Sequence, residues 1–139
     1  MYLNMKNRVI LSLSMLMLFA VSACVKTDTK KYTGVYVGTL TSADIVKKNI
    51  QLTFTNASNK KTLSLFDIDL TKISENQFEA DAEIVLEIIH LIDTNVTVDM
   101  LSNTSATFVF ENNEVSMDMK YNFSRKMTDV INVRYIGKK

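Results

Sequence analysis

The sequence predicts an all-β fold, an antiparallel up-and-down barrel of about eight strands, in one domain that follows an apolar N-terminal segment. Two observations predict it. Apolar and polar residues alternate with a period of two through most of residues 32–139, and short stretches rich in Asn, Asp and Ser separate the alternating runs. The 139-residue chain is 47% hydrophobic and 22% charged, a balance that favours a packed core over disorder.

Residues 1–23 have the features of a signal peptide. Lys6 and Arg8 make a positive start, and an uncharged apolar run follows from Val9 to Val21. A helix needs about 20 apolar residues to cross a bilayer. The run is shorter than that, and it is typical of the apolar segment of a secretory signal.

The end of this segment, Val21-Ser22-Ala23-Cys24, resembles the lipobox of bacterial lipoproteins, in which an aliphatic and two small residues precede a cysteine. The resemblance implies that the Cys24 thiol receives diacylglycerol and that the chain is cut just before it. Such a chain is held at a membrane because each buried CH₂ group contributes about 0.8 kcal/mol. Cys24 is the only cysteine, which excludes a disulfide within the chain and a zinc site built on several thiolates.

Residues 24–31 are interpreted as a polar, lipidated tether, and residues 32–139 as the barrel domain. Once Lys6 and Arg8 are removed with the signal, 14 of the 16 basic residues remain against 15 acidic ones. This balance gives no basic field, so nucleic acid is not an expected partner. We expect the domain in the cell envelope, at the outer membrane facing the periplasm. The lipoprotein resemblance implies this side, because some of those lipoproteins carry an acidic run after the cysteine as a surface-export signal, and this chain has none. Exposure at the cell surface stays open.

The predicted strands carry an apolar residue at every second position, as strands with one face on a core do. These stripes are Ile50-Leu52-Phe54, Leu63-Leu65, Phe66-Ile68-Leu70, Val96-Val98-Met100, Ala106-Phe108-Phe110, Val115-Met117-Met119-Tyr121-Phe123 and Ile131-Val133-Tyr135. The phase slips between Leu65 and Phe66, which predicts a β-bulge. The polar segment from Glu111 to Glu114 predicts a hairpin turn.

Residues 84–92 are nearly all apolar and fit two structures. Their β-branched side chains favour a strand buried on both faces, which is our prediction. Ile84, Ile88 and Leu91 also fit helical spacing. A helix at this position would plug or cap one end of the barrel.

The segment Gly34-Val35-Tyr36-Val37-Gly38-Thr39-Leu40 resembles the opening strand of the calycin-like or lipocalin-like lipoproteins of the Bacteroidetes. The resemblance implies an up-and-down barrel with an apolar interior. It also implies that an aromatic residue of the first strand packs on an arginine of the last strand. Tyr36 and Arg134 would make this contact as a cation–π closure of the barrel, with a structural role, and ordinary placement of Arg134 on the outer surface is the alternative.

The sequence offers little chemistry for catalysis, and we expect no enzyme activity, no cofactor and no metal. His90 is the only histidine and lies in an apolar run, where a structural role is expected. Asp67 and Asp69 would share one strand face, and a solvated outer face explains them better than a cation site. The same interpretation covers the acidic group Glu79, Asp81, Glu83 and Glu87.

Two functions fit these features. The first is a membrane-anchored lipoprotein of the bacterial cell envelope whose barrel binds a small apolar or amphipathic ligand. The alternative is a structural or protein-interaction subunit of an envelope complex, with a filled barrel and no ligand. The volume inside the barrel distinguishes them, because side chains such as Phe54, Phe108, Phe110, Met117 and Met119 could fill it.

Overall fold

The computed structural model describes residues 28–139, so the predicted signal peptide and Cys24 lie outside the described residues. The described part contains nine strands and one α-helix. The strands are β1 (Gly34–Ser42), β2 (Ile45–Asn56), β3 (Leu63–Leu65), β4 (Ile68–Asp69), β5 (Thr71–Lys72), β6 (Gln77–Ala80), β7 (Leu101–Glu111), β8 (Glu114–Phe123) and β9 (Lys126–Lys138), and the helix is α1 (Ala82–His90). Single 3₁₀ turns cover Lys30–Tyr32 and Val98–Met100.

The strands form one antiparallel sheet in the order β4-β3-β2-β1-β9-β8-β7-β6-β5. Neighbours in the sheet are neighbours in sequence except at the β1–β9 pair, which joins the first long strand to the last. The two edge strands, β4 and β5, are separated in sequence only by Leu70. The sheet therefore curls into a nearly closed barrel, and the predicted all-β barrel is confirmed.

The inner face of the barrel follows the predicted alternation. In β8, Val115, Met117, Met119 and Tyr121 are buried, while the residues between them are exposed or half-buried. The stripes of β2, β7 and β9 also place buried residues on the inner face. The turn between Glu111 and Glu114 is confirmed, with Asn112 in a left-handed conformation that Asn tolerates well.

The predicted strand over residues 84–92 is wrong, because this segment forms α1. The Asp81 side chain caps the helix by accepting a hydrogen bond from the Ile84 amide at 3.1 Å. Ile84, Val85, Ile88 and Ile89 are buried in the main core, and α1 packs against β6 and β7. Burial of this face overrides the strand preference of the β-branched side chains.

Two smaller predictions are also corrected. The stripe Val96-Val98-Met100 is not a strand, since Val98–Met100 forms a 3₁₀ turn with both apolar side chains exposed. The phase slip after Leu65 is a turn and not a bulge. Phe66 and Asp67 have φ angles of 55° and 61° and connect β3 to β4. Two successive positive φ angles are typical of a tight hairpin turn.

The barrel has two ends with different loops. The tether end is the end from which the chain leads back toward residue 24. It comprises the Lys30–Tyr32 turn, the β2–β3 loop, residues 73–76, the Glu111–Glu114 turn and Lys138–Lys139. The distal end comprises the β1–β2 turn, α1, the Val98–Met100 turn and the β8–β9 turn. Within residues 28–139 no helix is long and apolar enough to cross a bilayer.

The packed domain begins earlier than the predicted residue 32. Thr29 is buried, and its hydroxyl donates a hydrogen bond to Asn56 Oδ1 at 2.9 Å. Tyr32 stacks on Phe110 with ring centroids 4.9 Å apart. The end of the predicted tether is thus fixed to the barrel.

Candidate functional site

The predicted cation–π contact between Tyr36 and Arg134 is wrong. Tyr36 is fully buried inside the barrel, whereas the side chain of Arg134 is 61% exposed on the outer face. Arg134 lies 3.9 Å from Asp118 across the β8–β9 pair, in an exposed ion pair of little stabilising value. Successive residues of a strand face opposite sides, so the inward position of Tyr135 requires Arg134 to face outward.

Two tyrosines occupy the interior at the β1–β9 junction. The Tyr135 hydroxyl lies 3.0 Å from the carbonyl oxygens of Tyr36 and Ile50, which accept its hydrogen bond. The Tyr36 hydroxyl donates to the Tyr32 carbonyl at 3.0 Å. These bonds connect β1, β2, β9 and the Lys30–Tyr32 turn, so tyrosine hydroxyls and backbone carbonyls add to the β1–β9 strand pairing that closes the barrel. In the sequence, the place of Tyr135 in the apolar stripe of β9 was the signal that its side chain points into the barrel.

Because these tyrosines are buried, we expect the protein to lose stability at alkaline pH. Burial raises the pKa of Tyr135 to about 12, from its usual value near 10. Below pH 10 the hydroxyl is protonated in both states and the effect is absent. Between pH 10 and 12 the unfolded chain releases the proton first, so the free energy of unfolding should fall by about 2 kcal/mol through this group. Burial raises the pKa of Tyr36 in the same direction.

The measurement is urea unfolding at several pH values between 8 and 11.5, in the wild type and in Tyr135→Phe. The variant is expected to be less stable at pH 8, because the hydrogen bond is lost, and to lose less stability as the pH rises. Identical pH slopes in the two proteins would contradict the assignment.

The structure shows where the polar residues singled out in the sequence lie and what they contact. His90 ends α1, and its Nε2 lies 2.7 Å from the Val96 carbonyl oxygen. Asp67 lies in the β3–β4 turn and Asp69 in β4, where its carboxylate accepts a hydrogen bond from Ser64, so the two do not form a pair on one strand face. Among residues 28–139, no three His, Cys, Asp or Glu side chains are grouped so that they could hold a metal ion.

The interior of the barrel is filled with side chains. Phe54, Phe108, Phe110, Met117 and Met119 are each at most 1% exposed. A void large enough for water would leave the side chains that line it accessible. The rings also contact one another: the centroid of the Phe54 ring lies 5.0 Å from that of Phe110 and 5.4 Å from that of Phe108. These edge-to-face contacts have the geometry of a packed aromatic core.

The open concave surfaces lie at the ends and on the wall of the barrel. A cleft of about 870 Å³ at the tether end is lined by Lys31, Tyr32, Glu75, Asn76, Phe110 and the residues of the β7–β8 turn. The Lys31 ammonium lies 3.0 Å from the Glu75 carboxylate across it. This contact raises the pKa of Lys31 and lowers that of Glu75.

The distal end carries a rim of exposed apolar side chains, which we call the distal rim. Its six members come from three segments that are distant in sequence: Ile45, Val46, Val98, Met100, Met127 and Val130. Beside it, a cleft of about 460 Å³ is lined by Asp99, Met100, Phe123, Ser124, Arg125 and Lys126. Met127 is the most exposed of the six, at 62%. The distal rim became visible only when the fold brought these segments to one end.

The fold therefore creates three features: an interior filled with aromatic side chains, a lysine-rich tether end and an apolar distal rim. A comparison of the chain with protein-family models, curated proteins and solved structures found no match.

Proposed function

We propose that this protein is a lipid-anchored interaction module of the bacterial cell envelope, which binds a protein partner through its distal rim. The observation that carries the proposal is the filled interior. Small-molecule sites are concave and bury most of the ligand. The side chains inside this barrel occupy the space that such a ligand would need, so the interior favours the interaction module over the ligand-binding barrel.

The composition of the distal rim supports a protein partner. Monomeric soluble domains seldom expose many large apolar side chains close together, and apolar patches edged by polar residues are typical of interaction surfaces. Met100 and Met127 are flexible and adapt to a partner surface. Arg125 and Lys126 flank the cleft beside them and could pair with carboxylates of a partner.

The position of the distal rim relative to the predicted anchor supports the same function. The lipid would attach at Cys24, four residues before the tether-end residue Asp28. The strands that separate the two ends, such as the ten residues of β8, span roughly 25 Å along the barrel axis when tilted as in other barrels. The distal rim would then point away from the anchoring membrane, where a protein partner could reach it.

The first test of this proposal uses a double variant of the distal rim, Met100→Glu with Met127→Glu. Both side chains are exposed, so folding should be retained, while a charge at each position opposes burial in an interface. We expect the yield of crosslinked complex in intact cells to fall at least about tenfold, the effect of about 1.4 kcal/mol.

The matched control is Val35→Glu with Ile136→Glu, which places two charges on exposed apolar positions of the barrel wall. Its crosslinking yield should stay at the wild-type level. Equal loss in both variants, or no loss in either, would contradict a partner site on the distal rim. A small molecule bound one to one in native mass spectrometry of the purified protein would instead favour the ligand-binding barrel.

The second test addresses the anchor. Replacing Cys24 with Ala removes the thiol that the lipobox resemblance implies is acylated, so the protein should move from the membrane fraction to the soluble fraction. Cell fractionation measures this directly. Unchanged membrane association would contradict the lipoprotein assignment.

A further inference from the structure

The tether end differs in charge from the rest of the barrel. Six lysines lie there, namely Lys30, Lys31, Lys60, Lys61, Lys138 and Lys139, against the four side-chain carboxylates of Asp28, Glu75, Glu111 and Glu114. The remainder of residues 28–139 carries seven basic and eleven acidic residues. The domain is thus polarised along its axis, with the positive end next to the chain that leads to Cys24.

Only some of the lysines at the tether end form ion pairs. Lys31 pairs with Glu75 at 3.0 Å, and Lys138 lies 3.7 Å from Glu114. Among the described residues, Lys30, Lys60 and Lys61 form no ion pair, and all three are exposed. This face therefore has free ammonium groups for an external anion.

Several contacts hold these lysines at one end of the barrel. The Thr29 hydroxyl bonds Asn56, which connects the segment before Lys30 to the strand before the Lys60–Lys61 loop. The amide of Lys139 donates to the Asn113 carbonyl at 2.8 Å. The lysine positions are thus set by the folded barrel and not by a flexible tail.

We propose that this tether-end face contacts the anionic phosphate headgroups of the membrane that anchors the protein, and so orients the barrel with its distal rim pointing away. The inference rests on the proposed lipid anchor. Four residues from Cys24 to Asp28 reach at most about 14 Å, so Asp28 is held within two Debye lengths of the lipid attachment point at physiological salt, and the lysines of the same end can reach the headgroups. Each lysine near an anionic membrane surface adds about 1 kcal/mol, or about fivefold in affinity.

The test is lysine-acetylation footprinting of the full lipidated protein in two kinds of protein-free vesicle. One is pure phosphatidylcholine, and the other contains about one third phosphatidylglycerol. We expect acetylation of Lys30, Lys60 and Lys61 to slow at least about fivefold in the anionic vesicles. Lys47 and Lys48, an adjacent and exposed pair near the distal end of β2, should react equally in both.

Charge reversal gives the matched comparison. Lys30→Glu with Lys61→Glu should remove the lipid-dependent protection of Lys60, whereas Lys47→Glu with Lys48→Glu should leave it unchanged. Salt at about 0.5 M should also remove the protection, because the Debye length is then only a few ångströms. Equal protection in neutral and anionic vesicles would overturn the proposal. Protection found in native envelope membranes but not in protein-free vesicles would also overturn it, and would assign the face to an acidic protein.

The anchor and the lysine face can fail separately in this experiment. Flotation with neutral vesicles reports the lipid anchor alone. A protein that floats only with anionic vesicles, and loses this flotation in Lys30→Glu with Lys61→Glu, would retain the lysine face without the anchor. A protein that floats with both but shows no lipid-dependent footprint would retain the anchor without the lysine face.

Discussion

Replacing Phe110 with Ala should destabilise the protein by about 3–5 kcal/mol, the usual cost of removing a buried aromatic side chain. Phe110 is 1% exposed, and its ring contacts those of Tyr32, Tyr36, Phe54 and Phe78 at centroid distances of 4.9 to 5.7 Å. The loss is large because the substitution removes the central ring of this group and leaves a cavity in the interior. Small domains have a total stability of about 5–15 kcal/mol, so much of it would be lost.

Urea unfolding followed by circular dichroism measures this effect, and the melting temperature should fall by more than about 10 °C. The control is Phe110→Leu, which keeps an apolar side chain of intermediate volume and should cost less than half as much. The outcome also bears on function. A cost below about 1 kcal/mol for Phe110→Ala would mean that the interior is loosely packed, and it would favour the ligand-binding barrel again.

A methyl group at Gly38 should destabilise the protein by at least about 3 kcal/mol, at the upper end of the range for overpacking. Gly38 pairs with Gly137 across the β1–β9 junction that closes the barrel. A Cβ atom built on Gly38 would lie 2.0 Å from the Ile136 carbonyl oxygen and 2.5 Å from the Gly137 Cα. Both atoms belong to the β9 backbone, so the clash can be relieved only by moving the two strands apart.

The expected change in stability has the opposite sign to the usual effect of replacing Gly with Ala. Gly38 has no positive φ angle, and at such a position Gly→Ala ordinarily stabilises a protein by about 0.4–1 kcal/mol, since the unfolded chain loses freedom. Strong destabilisation therefore requires the close approach of the strands. Any increase in stability in Gly38→Ala would contradict the β1–β9 register.

Gly137→Ala is the informative comparison for Gly38→Ala. A Cβ there would meet the ring and hydroxyl of Tyr135 at 2.4 to 2.7 Å, a side-chain contact. A shortened side chain in the Tyr135→Ala background should relieve this clash, so that Gly137→Ala costs less there than in the wild type. The cost of Gly38→Ala should not fall in this way, because its obstacle is backbone.

Much of the barrel was predictable because its signals are local. The stripe in β8 correctly names Val115, Met117, Met119 and Tyr121 as buried, since a strand with one face on the core repeats every two residues, but at the end of the strand Asn122 is buried and Phe123 only half-buried. The Glu111–Glu114 turn was predictable for a similar reason, because Asn tolerates the left-handed backbone that such a turn needs. The stripe containing Tyr135 also implied, by parity, that Arg134 faces outward, although the family resemblance pointed to the opposite arrangement.

The failed predictions depended on what surrounds a segment. The apolar run over residues 84–92 was compatible with burial on two strand faces or on one helix face, and only the space beside β6 and β7 selects the helix. Asp81 directly precedes this run as a helix N-cap does, a local signal that the strand prediction did not use. Phe66 gives no local sign that the chain reverses there, and Asp67, a residue type that tolerates a positive φ, was not by itself enough to mark the turn.

The features that bear on function also separate into those that the sequence predicts and those that only the fold creates. The sequence by itself determined the all-β class and most of the inward-facing residues of the long strands, because these depend on period and turn chemistry, while the lipobox resemblance at residues 21–24 stays a prediction. Only the tertiary structure decided that the interior is filled, that six lysines share the tether end and that Met100 and Met127 share the distal rim. Each of these depends on the packing of residues far apart in the chain, and the strand alternation does not specify which distant residues become neighbours.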